Sequence, residues 1–147
     1  MTRREQRIGG AGEHVAASVL SALGISMVER IGTPVKLIPA PYARGYYRVI
    51  WAEAVSGDHR GILPGGRSVL AETKTIMDRD LRWSDLRPHQ PGQLTQHAEL
   101  GGLSLLVWVH STGVYVLKWP VAGFGPGKSI DPAFAQKHYI DLDLQAR

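Results

Sequence analysis

Asp58, Glu72 and Lys74 are the residues of this 147-residue chain whose types and spacing could do chemistry together. Glu72 and Lys74 stand two apart, so on a strand they share one face with Leu70, while Val69, Ala71 and Thr73 take the other. Asp58 follows a strand read over residues 46–55, and a hairpin over Pro64-Gly65-Gly66 into a second strand at residues 67–76 can bring it opposite Glu72. Two carboxylates that close resist joint ionisation unless a cation lies between them. A hard divalent ion with oxygen ligands suits them, and the Thr73 backbone carbonyl could add another oxygen. Such an ion keeps waters that can act as nucleophile, and Lys74 would orient the attacking water and offset charge on a pentacovalent phosphate. That chemistry is magnesium-dependent phosphodiester hydrolysis. The same residues would also fit a surface hairpin carrying a Glu–Lys pair and an unrelated turn aspartate.

Two further residues bear on the choice. Glu13 shares a helix face with Ala16 and Leu20, where a carboxylate is costly unless it meets a cation or donors. A favourable interaction with the positive helix N-terminus explains it equally well. Gln90 stands at the start of a second helix, where a neutral amide can orient the attacking water or touch the phosphate. Its neighbours His89, Gln93, Gln96 and His97 read mostly as a solvated polar face. The histidines lack acidic partners at zinc spacing. Gly9-Gly10-Ala11-Gly12 follows no clear strand and precedes no Gly-Lys-Thr, so no nucleotide cofactor is expected.

The elements that must position these residues follow from periodicity and punctuation. Residues 1–10 read as a mobile basic arm, and residues 12–23 as a helix stopped by Gly24. A short strand is expected over residues 26–31. Residues 33–45, with three prolines, Lys36, Tyr42 and Arg44, read as a projecting loop or ribbon. A polar loop at residues 78–87 leads to a helix ending near Leu100. The apolar run at residues 103–110 reads as a central strand that turns into residues 114–119, and Asp131-Pro132 starts a last helix.

The length suits a single domain spanning residues 1–147. Seventeen Lys and Arg against thirteen Asp and Glu leave a net charge of +4, with basic residues bunched at Arg3, Arg4 and Arg7 and again at Arg79, Arg82 and Arg87. Such bunching favours a polyanionic partner. No apolar run approaches membrane-spanning length and no signal peptide is read, so no membrane association is expected. The absence of cysteine excludes disulfides and thiolate metal sites and fits a cytoplasmic home.

Taken in order, Gly12-Glu13, Thr33-Pro34-Val35-Lys36-Leu37-Ile38, Ser56-Gly57-Asp58-His59-Arg60-Gly61, Ala71-Glu72-Thr73-Lys74, His89-Gln90 and Leu100-Gly101-Gly102 form a pattern over most of the chain. It resembles the RecU-type Holliday junction resolvases, within the PD-(D/E)XK restriction-endonuclease-like superfamily. The resemblance implies an α/β fold: a restriction-endonuclease-like core with a central mixed sheet flanked by helices and a projecting stalk at about residues 33–48. It implies Asp58 and Glu72 as metal ligands, Lys74 as the transition-state lysine, Glu13 as a helix-borne acid, and Gln90 and Ser56 near the metal. Lys36, Arg44 and Arg48 would contact phosphates from the stalk, with Tyr42, Tyr46 and Tyr47 available for stacking. The arginines Arg3, Arg4, Arg7 and Arg60 complete the expected DNA contacts. The cofactor would be Mg2+, with Mn2+ substituting. The substrate would be four-way junction DNA, cut by a homodimer in a bacterial cell or a phage-infected host. The sequence offers residues 114–119 and the first helix as candidates for the subunit interface. A nuclease of the same superfamily acting on ordinary duplex, a non-catalytic DNA-binding module of the same fold and an RNA-binding module remain as alternatives.

Overall fold

A computed structural model describes residues 3–32, 35–39, 45, 47–51 and 57–140, and the side chains of residues 10–32, 45 and 57–140. The elements are α1 (Arg3–Ala22), β1 (Ser26–Arg30), β2 (Val35–Pro39), β3 (Tyr47–Trp51), β4 (His59–Ile62), β5 (Ser68–Thr75), β6 (Leu81–Arg82), α2 (Gln90–Glu99), β7 (Leu103–His110), β8 (Gly113–Lys118), β9 (Ser129–Ile130) and α3 (Pro132–Lys137). Five strands form one mixed sheet in the order β1-β4-β5-β7-β8, with β5 at its middle. Only β5 and β7 run parallel; the other neighbours are antiparallel. The expected α/β architecture, a mixed sheet flanked by helices, is the one observed.

Alternation along the strands divides the core in two. Val69 and Ala71 of β5 and Leu105 and Val107 of β7 pack with Ala16 and Leu20 of α1. Leu70, Leu106 and Trp108 point the other way, onto Leu94 of α2 and Ala135 of α3. Strand β7 is covered on both faces, which is why its sequence is mostly apolar instead of alternating, with Ser104 as a buried hydroxyl in its interior.

The N-terminal stretch expected as a mobile arm is instead helical from Arg3. Its glycines are poor helix formers, and Gly costs about 1 kcal/mol relative to Ala in a helix interior. Packing supplies the reason one of them is there: a Cβ on Gly12 would lie 1.9 Å from Thr75 Oγ1 of β5. The helix backbone rests directly on the strand, and only glycine permits that approach. The helix ends as expected, with Gly24 at a positive φ of 91° and the Ile25 N–H reaching back to the Leu20 carbonyl at 3.2 Å.

Three other expectations change. The hairpin partner of β5 is β4, immediately before the Pro64-Gly65-Gly66 turn, and not the strand read over residues 46–55. Within that range Tyr47–Trp51 pairs with Val35–Pro39 in a separate two-stranded sheet. Apolar, branched composition marked a strand correctly but carries no information about its partner. The segment 78–87 is more than a loop: Leu81 is fully buried, and β6 pairs with β9. The prolines and basic residues of the expected stalk are only partly covered. Lys36 and Arg48 lie on β2 and β3, whereas Tyr42, Arg44 and Tyr46 fall outside the described residues.

Both margins of the main sheet are modified. In β1 the register shifts between Ser26 and Glu29, around Met27, which has a positive φ of 51° and is 69% exposed. Along β8, Tyr139 bridges Leu117 and the Ile140 N–H bonds to the Val116 carbonyl at 2.9 Å. Among the described residues no helix is long and apolar enough to cross a membrane.

Candidate active site

The site forms at the open end of the β4–β5 hairpin. Asp58 lies just before β4, and its N–H bonds to the Ala71 carbonyl at 2.8 Å, continuing the ladder by one step. Its Oδ2 accepts the Thr73 N–H at 2.8 Å, which turns the carboxylate across β5. On the far side its carbonyl accepts the Ile31 N–H at 2.7 Å. Asp58 is thus held on two sides by backbone and is not a free turn residue.

Glu72 sits on the central strand and is only 2% exposed. It faces α2, as alternation requires, and its Oε1 lies 3.1 Å from Lys74 Nζ. Gln90, the first residue of α2, donates from Nε2 to the same Oε1 and accepts the Arg87 N–H on Oε1 at 2.8 Å. Pro91 therefore does not displace the glutamine. The proline sits in the first helical turn, where its missing N–H costs nothing, and the buried Gln90 is aimed at Glu72.

Burial pushes the Glu72 carboxyl up to about 7, and the nearby Asp58 charge pushes in the same direction against the pull of Lys74. This donor set fits a hard divalent cation. Two neighbouring carboxylates, one too deeply buried to ionise easily alone, are stabilised together by positive charge between them. Among the described residues, no three His, Asp or Glu side chains gather into one metal-binding group. Two carboxylates suffice for magnesium, which fills its remaining positions with waters or carbonyl oxygens.

Glu13 does not join this group. It lies on the α1 side of the sheet, where Oε2 is 2.7 Å from an Arg30 guanidinium nitrogen. The geometry is that of a charge contact, since the same oxygen has no hydrogen-bond partner among the described residues. His59, buried beside it, points to this face too. Burial holds the imidazole below its usual value, outweighing the opposing charges of Asp58 and Glu13. The Thr73 hydroxyl is buried without a partner among the described residues, so from this residue only backbone is directed toward Asp58. Arg30 and His59 were not singled out in the sequence. A basic residue on β1 opposite Glu13 carries no spacing signal, because the two meet only through helix packing.

Arg60 is exposed on β4 and borders a groove along α2. Arg3, Arg4 and Arg7 lie on α1, but their side chains, like those of Lys36 and Arg48, are outside the described residues; Arg44 and Ser56 are outside entirely. His97 departs from the solvated face expected of it. It bonds to Ser104 Oγ at 2.8 Å through Nδ1 and to Ser68 Oγ at 3.0 Å through Nε2.

No family model matches the sequence, and no curated protein matches it. Among solved structures, the fold is similar to that of Hjc, a Holliday junction resolvase from the archaeal hyperthermophile Archaeoglobus fulgidus, with a TM-score of 0.57. The two chains share a fold. The likeness covers 94% of this chain and 99% of that one at 14% identity, so it concerns the path of the backbone and not the side chains that would act.

Proposed function

We propose that this protein is a structure-selective DNA endonuclease of the PD-(D/E)XK superfamily, RecU-like in its motifs, that resolves four-way junctions by magnesium-dependent hydrolysis. The observation that carries the reading is the convergence of Asp58, Glu72 and Lys74 at one hairpin mouth, with Gln90 fixed on Glu72. The fold shared with an archaeal junction resolvase supports it.

In this reading Asp58 and Glu72 would hold the divalent cation, with the Thr73 carbonyl as a candidate further oxygen. Magnesium, when bound, supplies charge that polarises the phosphate and eases deprotonation of the attacking water. Gln90 keeps the Glu72 carboxylate from rotating away. Lys74, mostly buried, stays close to the reacting phosphate and offsets the negative charge that grows as the nucleophile adds. A cation held at Glu72 would compete with Lys74 for that carboxylate, and the ammonium would then be available to the phosphate. The 3′ oxygen departs, leaving a 5′-phosphate and a 3′-hydroxyl.

One chain offers one such site, and two symmetric cuts require two. A homodimer with a two-fold axis meets that need. Recognition would rest on phosphates and shape, so affinity should fall with salt at a log–log slope of about −0.9 for each neutralised phosphate on duplex arms.

The deciding experiment is cleavage of a synthetic four-way junction beside a linear duplex of the same sequence, with magnesium, with manganese and with a chelator. Metal-dependent, paired cuts in the junction alone support the proposal. Equal rates on both substrates would point to a duplex nuclease, and binding without cutting in either metal to a non-catalytic module.

A further inference from the structure

Helix α2 runs back along β5. Its first residue, Gln90, meets Glu72, and His97, about two turns later, meets Ser68. Beside this contact lies an open groove of 490 Å³. Leu70 and Ile31 supply apolar surface at its base, and Leu100, 81% exposed, stands at its edge. Arg60 borders it from β4, and Gln93 and Gln96 border it from α2.

The end wall has a fixed polarity. Ser104 donates its one hydroxyl proton to the Leu94 carbonyl at 2.7 Å, so towards His97 it can only accept. His97 must carry its proton on Nδ1, which leaves Nε2 to accept from the Ser68 hydroxyl. Burial, with the Arg67 charge adding to it, holds the imidazole below its ordinary value and so neutral. Gly102 lies against the ring so closely that a Cβ there would be 2.2 Å from Cε1. The wall is rigid, uncharged and able to accept hydrogen bonds through Ser68.

Two residues of the groove lining connect it to the carboxylates. The Ile31 N–H is bonded to Asp58, and Leu70 shares a strand face with Glu72, about 7 Å away by strand rise. We propose that the groove is a nucleoside subsite. It takes the base of a nucleotide beside the scissile phosphate, turned out of the stack, between Leu70 and Leu100, with the Gln96 amide on the base edge and Arg60 on the backbone. Apolar surface combined with a few hydrogen-bonding groups is the environment that receives an extruded base. The Gln96 amide and Ser68 can read base edges, whereas the Arg60 guanidinium suits phosphate. The cost of unstacking is least where a base already lacks a partner, as at a branch point. This inference rests on the nuclease reading for the identity of the neighbouring phosphate, but the nucleotide site itself can be tested apart from it.

The test is a titration of the full chain with dAMP, followed by the backbone amide resonances of Ser68, Gln96 and Leu100, with 2-deoxyribose 5-phosphate as the base-free control. The expected result is saturable movement of these resonances with dAMP and none with the sugar phosphate. Gln96→Ala and Leu100→Ala, both at exposed positions, should each weaken dAMP binding about five-fold or more, the equivalent of one good base-edge contact. Resonances that stay in place with dAMP, that move equally with the sugar phosphate, or that titrate in both variants as they do in the unmutated chain overturn the proposal. Junction cleavage by the same preparations separates the two readings. A chain that cuts junctions but fails to bind dAMP loses this inference alone. One that binds dAMP here but cuts nothing keeps the nucleotide site and loses the nuclease reading.

Discussion

Gln90 holds Glu72 by the same oxygen that faces Lys74, so a helix N-terminus, a central strand and a basic side chain meet at one carboxylate. The helix positions that carboxylate without adding charge.

Replacing the anchor should therefore weaken catalysis without abolishing it. Gln90→Ala leaves both carboxylates in place but frees Glu72 to turn. Loss of an outer partner of a metal ligand typically costs about 10–100-fold in affinity or activity. The magnesium dependence of junction cleavage should move to higher concentration by a factor in that range. An unchanged magnesium curve would detach Gln90 from the site.

The carboxylates themselves are less forgiving. Asp58→Asn and Glu72→Gln keep shape and remove metal-binding charge, so cutting should vanish while junction affinity, measured by gel shift in calcium, survives. Lys74→Ala should lower turnover by about two to three powers of ten and affect binding far less. Normal cutting by either carboxylate variant would place the reaction elsewhere in the molecule.

The buried position of Glu72 has a pH signature. Its folded value of about 7 exceeds the ordinary 4.5, so between these pH values the unfolded chain gives up a proton that the folded chain retains. Metal-free protein should lose stability as pH rises through this window, by up to about 3 kcal/mol, and change little from this group above it. Urea unfolding in chelator should show the decline, and Glu72→Gln should flatten it. Added magnesium should raise the unfolding midpoint more at pH 8 than at pH 5, because the cation requires the ionised form. A wild-type curve that rises with pH across the window would contradict this account of the site.

Gly12 sets the height of α1 above the sheet. Gly12→Ala places a methyl 1.9 Å from Thr75 Oγ1 and must shift one element. Overpacking of this kind costs about 1–3 kcal/mol. Thr75→Ala in the same chain removes the nearest atom and should recover part of that loss, a coupling visible as non-additive melting temperatures. Purely additive effects would mean that the helix tolerates the shift.

The legible part of this molecule was local. Lys74 and Glu72 share a face because strands alternate, and Asp131 caps α3 by accepting the Phe134 N–H at 2.7 Å, both as the residue types require. What stayed hidden depended on contacts distant in sequence. The pairing of residues 35–39 with residues 47–51 needed knowledge of which apolar segments meet. Glu13 could be read as an acid on a buried helix face, but its pairing with Arg30 depends on how α1 sits over β1. His97 looked like surface because nothing nearby in sequence reveals Ser68 or Ser104. Helical character across Gly9, Gly10 and Gly12 runs against local propensity, and the observed close approach to Thr75 gives at least one of them a purpose.

The two treated margins of the sheet bear on behaviour in concentrated solution. An unguarded outermost strand is a template for recruiting further chains into fibrils. Here the bulge at Met27 distorts one rim and the backbone of Tyr139 and Ile140 occupies part of the other. Runaway growth by strand addition is thereby discouraged at both ends of a sheet whose central strands are largely buried and apolar.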